Sequence, residues 1–205
     1  DDSGFAPERL PDSPTLARRG GTSQVAVADA QGNVASACIS IGSSYGSLIF
    51  VPEVGIFMNN AMSNFDPRPE HPSHIEPGKM PIFAAPAIAA TRNGEARFAA
   101  SGSGGYRIEP GVLQTMINSI DFGMSVQRAV DHPRVHCQGG PTYVDARIDP
   151  AVLNRMRRAG HDLRVLVEQP GVNNFGRICA VTRNPRSGAL SAGAGPAWAT
   201  GVAGY

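Results

Sequence analysis

Residues 22–60 are dense in Val, Ile, Ala and Ser and are interrupted by turn signals at Gln31-Gly32-Asn33 and Pro52-Glu53. That pattern predicts several strands, among them roughly 23–29, 33–41 and 47–51. The Pro-rich stretch 64–80 predicts a long loop, of the kind compact domains keep for functional segments such as a lid. Beyond it, Ala87–Thr91 and Ala96–Ala100 flank Asn93-Gly94, the strongest short-range hairpin signal in the chain. After the glycine-rich break at Ser101–Gly105, Val112, Leu113, Met116, Ile117 and Ile120 recur at helical spacing and predict one buried helix face. Ser125 can cap a short helix that stops before Pro133, and Asp149-Pro150 opens another that runs through Arg158 and ends at Gly160. The runs 162–168 and 176–182 predict strands. Strands, then helices, then strands again make a layered α+β arrangement over residues 22–205. Residues 1–21, polar and Pro-rich, read as a linker ahead of that domain.

Composition narrows the chemistry. The chain has 205 residues, 41% apolar and 17% charged, enough for one substantial core. A formal net charge of +1 with mixed signs excludes nucleic acid as an expected partner. No stretch approaches the roughly 18 apolar residues of a membrane span. The start Asp1-Asp2-Ser3-Gly4 has neither the basic nor the apolar part of a signal peptide, so the compartment stays open, the cytoplasm favoured over periplasm or secretion. Cys38, Cys137 and Cys179 lack paired spacing and read as buried free thiols. His132 and His136 are separated by Pro133, which argues against a helical metal pair. Neither metal nor cofactor is expected.

The candidate chemistry lies at Gly20-Gly21-Thr22-Ser23-Gln24. A threonine after small, flexible residues and at the head of a strand suits a chain that cuts itself there and uses the freed amine as its own base. On these residues alone, a Gly-Gly-Thr that merely starts a strand after a linker is the favoured reading.

Several separated segments occur in one order: Thr22–Ser36, Val54–Met62, Gly104-Gly105-Tyr106-Arg107-Ile108, Asn118–Gly123, His132-Pro133-Arg134 and Ala203-Gly204-Tyr205. Together they resemble the small subunit of the γ-glutamyltransferase family over nearly all of residues 22–205. The resemblance implies the four-layer αββα sandwich of the N-terminal-nucleophile hydrolases. It also implies a large subunit cut from the same precursor, giving a heterodimer or a dimer of heterodimers, with residues 1–21 as the large subunit's tail. Cleavage would fall between Gly21 and Thr22. Thr22 would then attack a carbonyl while its own α-amine, of reference pKa about 7.7–8.0, takes and returns the proton. Gly104 and Gly105 match the pair whose amides form the oxyanion hole. Ser40 falls where the family carries a threonine hydroxyl bonded to the nucleophile.

The resemblance puts Gly42, Asn60, Ala61, Asn64, Phe83 and Ala84 at the substrate. There the chain departs from the family. Gly42, Ala61 and Asn64 stand in place of an asparagine, a glutamine and an aspartate, and Ile82-Phe83-Ala84-Ala85 follows Pro81 without the usual two serines. The clamp for glutamate is largely missing, which implies a smaller-residue, more apolar pocket. The expected function is therefore a self-processing hydrolase or acyltransferase acting on a small molecule other than a plain γ-glutamyl compound. The bond cleaved would be an amide, or a carbon–carbon bond beside a carbonyl in an antibiotic precursor. Alternatives are γ-glutamyl hydrolysis or transfer with recognition supplied by the large subunit, and an uncleaved, non-catalytic binding homologue.

Overall fold

A computed structural model describes residues 21–169, 172–195 and 200–204. The expected linker, apart from Gly21, and Tyr205 of the last motif lie outside the described residues. In chain order the elements are β1 (Thr22–Ala28), β2 (Val34–Ser40), β3 (Phe50–Val51), β4 (Ile56–Phe57), β5 (Ala87–Arg92) and β6 (Glu95–Ser103). There follow α1 (Ile108–Ile120), α2 (Val126–Asp131), β7 (Val135–His136), β8 (Thr142–Asp145), α3 (Pro150–Arg158), β9 (Leu163–Leu166), β10 (Arg177–Arg183) and β11 (Leu190–Ala194).

Three layers stack around the future site. The central one is a four-stranded antiparallel sheet ordered β11-β10-β6-β5. On one face lie α1 and α2, sealing a core of Phe98, Ala100, Ile108, Val112, Val130 and Ile178. On the other lies the antiparallel pair β1–β2. Alternation along β6 and β10 sends Phe98, Ala100, Ile178 and Ala180 to the helices, so Ala99, Ser101, Ser103 and Cys179 face β1–β2. Hydrogen bonds cross this second gap, from Ser36 Oγ to the Ala100 carbonyl at 2.8 Å and from Cys38 Sγ to the Gly102 carbonyl at 3.4 Å. The outer face of β1–β2 is apolar yet open, with Val25 47%, Val27 50% and Ile39 70% exposed.

The strand–turn–strand at 22–40 forms because Asp29 accepts from both the backbone and the side-chain amide of Asn33 at 2.8 Å, closing the turn. The second hairpin turns on Asn93 (φ 55°) and Gly94 (φ 79°), both left-handed as a tight primed turn requires. Asp149 caps α3 by accepting from Ala151 N at 2.7 Å.

Five expectations need correction. The strand expected at 47–51 shrinks to Phe50–Val51, because the preceding residues form tight turns with Tyr45 and Leu48 at positive φ. The buried face of α1 is Ile108, Gly111, Val112 and Thr115, while Leu113 and Ile120 are 51% and 46% exposed. Small residues face the sheet because the helix lies close to it: a Cβ on Gly111 would come 3.0 Å from Ile178 Cδ1. Ser125 stands at the start of α2 but makes no side-chain cap bond. Cys137 is exposed rather than buried. Finally, the run at 162–168 is a strand only over Leu163–Leu166, and it pairs in parallel with β8, which with β7 and β9 forms a separate three-stranded sheet flanked by α3.

Candidate active site

Thr22 heads β1 directly opposite Ser40, the last residue of β2. Their hydroxyl oxygens are 2.9 Å apart, and either can donate to the other. The Ser40 oxygen also accepts from Gly42 N at 2.9 Å, which fixes the rotamer that meets Thr22. The ladder continues one residue further. Gly21 N donates to the Gly42 carbonyl at 3.0 Å, and Ile41 N donates to the Gly21 carbonyl at 2.9 Å. The peptide bond before Thr22 is thus held extended, with one backbone donor already on its carbonyl oxygen. Gly21 has no room for a side chain, since a Cβ there would fall 2.4 Å from Ile41 Cγ1.

A cavity of about 310 Å³ opens beside Thr22 between the two sheets, lined among others by Gln24, Ser103, Arg177, Cys179 and Thr200. Ser103 ends β6, and the next two residues are Gly104 and Gly105, with φ of 138° and 63°. Both values are in the range that glycine alone adopts at little cost. A Cβ on Gly104 would approach Gly176 Cα and Asn173 Nδ2 at 3.0 Å, whereas the corresponding space at Gly105 is open.

The loop that backs Gly104 is itself anchored by Arg134. Its buried guanidinium donates to the carbonyls of Phe175 (2.9 Å), Gly176 (2.8 Å) and Val130. Burial pulls the pKa of this arginine down, with Glu168 the main neighbour opposing that shift. The His132-Pro133-Arg134 motif therefore acts through backbone anchoring, and His132 lies to one side of it, its Nδ1 3.2 Å from the Pro133 carbonyl.

Of the residues expected at the substrate, Gly42 belongs to this constellation through its amide. Asn60 supports it from behind, its Oδ1 accepting from Ser43 N at 2.9 Å and its Nδ2 donating to Ser43 Oγ at 3.0 Å. Ala61, the first residue of a 3₁₀ turn that also contains Asn64, binds Asn59 Oδ1 through its own amide at 2.9 Å. Asn60, Ala61, Asn64, Phe83 and Ala84 are not among the residues lining the cavity beside Thr22; Phe83 is 43% exposed.

Sequence reasoning passed over Arg177, which lines both this cavity and a neighbouring one of about 340 Å³. Its signal was a lone charge at the head of the otherwise apolar run Ile178-Cys179-Ala180-Val181. Among the described residues no cluster of His, Cys, Asp and Glu is arranged to hold a metal ion, and no helix is long and apolar enough to cross a membrane.

Comparison with known proteins gives the family. A family profile described as gamma-glutamyltranspeptidase matches residues 4–205. The acylase ACY 1 proenzyme of Pseudomonas sp. (strain SE83) is 38% identical over 164 residues, covering 80% of this chain and 28% of the acylase. The chain thus spans just over a quarter of the length of that relative. Among solved structures, the γ-glutamyltranspeptidase of Pseudomonas nitroreducens complexed with L-DON superposes with a TM-score of 0.73 at 25% identity, over 89% of this chain and 98% of that one. The cephalosporin acylase of Bacillus halodurans superposes with a TM-score of 0.68 at 29% identity, over 80% of this chain and 32% of that one. The hydroxyl pair at the head of a two-stranded sheet, the layered fold and these likenesses agree: the chain belongs to the γ-glutamyltranspeptidase family and has the fold of the N-terminal-nucleophile hydrolases.

Proposed function

We propose that this chain is the nucleophile-bearing part of a self-processing acylase or amidohydrolase, working through an acyl-enzyme on Thr22. The observation that carries the reading is the 2.9 Å contact between the Thr22 and Ser40 hydroxyls, beside a cavity lined by Ser103, the residue before the two glycines. In the precursor, Thr22 Oγ attacks the Gly21 carbonyl, whose oxygen already accepts from Ile41 N. The acyl group shifts from nitrogen to oxygen, and water hydrolyses the ester, leaving Thr22 with a free amine. That amine then takes the hydroxyl proton as Oγ attacks a substrate carbonyl, and returns it to the leaving amine. Water repeats the attack on the ester and releases the acid. The amides at Gly104 and Gly105 are the donors for the oxyanion, a contribution of about 2.7–4 kcal/mol per donor in comparable sites. Ser40 and Asn60 act as positioning residues, the first on the nucleophile and the second on the turn that follows it.

Loss of the glutamate clamp at Gly42, Ala61, Asn64 and Phe83-Ala84 supports a substrate other than glutathione, as do relatives that bear the names acylase and cephalosporin acylase. The same ester chemistry serves an amide or a carbon–carbon bond beside a carbonyl in an antibiotic precursor. A second reading, γ-glutamyl hydrolysis or transfer, draws support from glutathione hydrolase proenzymes such as that of Bacillus subtilis (strain 168), 29% identical over 143 residues. The exposed Val25, Val27 and Ile39 of the outer sheet face are suited to covering by an upstream subunit of the same precursor, consistent with relatives named as proenzymes.

Intact-mass analysis of the full precursor tests the proposal. A fragment beginning at Thr22, lost in Thr22→Ala and partly kept in Thr22→Ser, is the expected result. An uncut chain that takes up no electrophile at Thr22 would overturn it. Turnover of a γ-glutamyl anilide faster than of simple acyl anilides would favour the second reading.

A further inference from the structure

We infer that Ser36 and Cys38 are positioning residues: their side chains pin β2 to β6 in the register that sets Thr22 over Gly104 and Gly105. The inference rests on Thr22 being the nucleophile and on those two glycines being the donors to a substrate oxyanion.

The contacts that cross the gap between the sheets repeat. Ser36 Oγ donates to the Ala100 carbonyl at 2.8 Å, and Cys38 Sγ to the Gly102 carbonyl at 3.4 Å. Two residues along β2 answer to two residues along β6, in the same chain direction. One further step of the series sets Ser40 against Gly104. Residues 36, 38 and 40 share one face of β2, as do their ladder partners Ala26, Gln24 and Thr22 on β1, so the same step carries Thr22 towards Gly104. At this third position the side chain is turned to a different use: the Ser40 oxygen accepts from Gly42 N and meets Thr22 Oγ. β6 ends at the same level, at Ser103, and Gly104 leaves it at φ 138°. The first two side chains of the series hold register, and the third holds the nucleophile. Burial pushes the Cys38 thiol pKa up, which keeps it an S–H and therefore a donor.

The two acyl transfers assigned to Thr22 draw on different donors. In self-cleavage the oxygen that gains charge is the Gly21 carbonyl, held by Ile41 N in the continuation of the β1–β2 ladder. That donor travels with the hairpin. In substrate turnover the donors are the Gly104 and Gly105 amides, which belong to the central sheet. Only this second reaction depends on how the hairpin is seated on β6, and a misplacement of about 1 Å is enough to slow a reaction about a hundred-fold. Removing the two cross-gap bonds should therefore separate the two reactions.

The test uses the full precursor and p-nitrophenyl acetate. Self-cleavage is followed on gels, and acylation by mass on the fragment that starts at Thr22, as an acetyl ester forms on Oγ and p-nitrophenolate leaves. In Ser36→Ala/Cys38→Ala, cleavage should stay within about two-fold of wild type while acylation falls about ten- to a hundred-fold. Cys38→Ser keeps a donor in the same place and should acylate within about three-fold of wild type. Should the double variant fail to melt cooperatively, Ser36→Ala and Cys38→Ala singly carry the comparison, each with slower acylation and unchanged cleavage. Equal losses of cleavage and acylation would reduce both residues to packing and overturn the inference. Full-rate acylation in the double variant, or a Cys38→Ser chain as slow as Cys38→Ala, would overturn it too. A wild-type chain that takes no acetyl group at Thr22 would overturn the nucleophile reading itself, and this inference with it.

Discussion

Gly42 and Asn60 interlock: a Cβ on the glycine would fall 1.8 Å from Asn60 Oδ1, and Gly42 itself sits at φ +83°. The asparagine amide occupies the space that a side chain at position 42 would need, and from there it holds Ser43. The local packing therefore has no room for the asparagine that the resemblance implies at position 42.

It follows that Gly42→Asn should not restore recognition of γ-glutamyl compounds. Left-handed strain alone costs about 1–2 kcal/mol, and displacement of Asn60 adds to it. We expect a drop in melting temperature of at least several degrees, given about 2–4 °C per kcal/mol for chains of this size, with γ-glutamyl anilide turnover no higher than wild type. A gain in that turnover would contradict the packing argument.

Autocleavage should depend on the contact between Gly21 and Ile41. In Gly21→Ala the new methyl group would meet Ile41 Cγ1 at 2.4 Å, twisting the carbonyl away from Ile41 N. Cleavage followed on gels should slow by roughly tenfold or more, about 1.4 kcal/mol on the barrier. Ile41→Ala in the same chain should recover most of the rate, because it removes the obstructing carbon. A double variant as slow as the single one would show that the contact is not the cause.

Ser40→Ala should lower the rate of Thr22 acylation by roughly tenfold, the scale of one hydrogen bond to the reacting hydroxyl. Ser40→Thr retains the oxygen and should stay near wild type. If the alanine variant acylates at the full rate, Ser40 does not orient the nucleophile.

Stability should fall on mild acidification. His136 is 5% exposed and lies against Tyr143, ring centroids 6.3 Å apart. Burial first, then the Arg107 charge, hold its pKa below 6.5. The unfolded chain therefore takes up a proton near pH 6.5 that the folded chain resists, so the fold is most stable above that value and weakens as pH drops through it. The slope attributable to this residue is at most about 1.4 kcal/mol per pH unit. Urea unfolding of wild type and His136→Phe between pH 5 and 7.5 checks this: the difference in stability between the two should change with pH.

The surroundings of Thr22 were legible because a two-stranded hairpin is local. Once Gln31-Gly32-Asn33 is read as the turn, register alone brings Thr22 opposite Ser40. The glycines at 104 and 105 announced a sharp change of direction, and both have positive φ. Long-range pairing was not legible. The parallel contact of β8 with β9 joins segments separated by α3, and two- to four-residue strands such as β7 carry too few side chains to show a period. The face of α1 was misread because Gly111 and Thr115, small or polar in a hydrophobicity pattern, are the residues that let the helix approach the sheet. Arg177 was hidden for a related reason: the side of the sheet it faces depends on which way the pleat turns it, and that is settled by the helices packed on the other side.

The gap between the two sheets is filled by alanine, serine and cysteine, with hydroxyl and thiol groups bonding straight to the opposite backbone. Away from the cavity beside Thr22 so thin a filling leaves little room, and a bulkier residue at Ser36 or Cys38 would have to wedge the sheets apart. Variation is thereby channelled outward, into the connections around the rim. Those connections can change in length and bulk while the hairpin that carries Thr22 and Ser40 keeps its register beneath them.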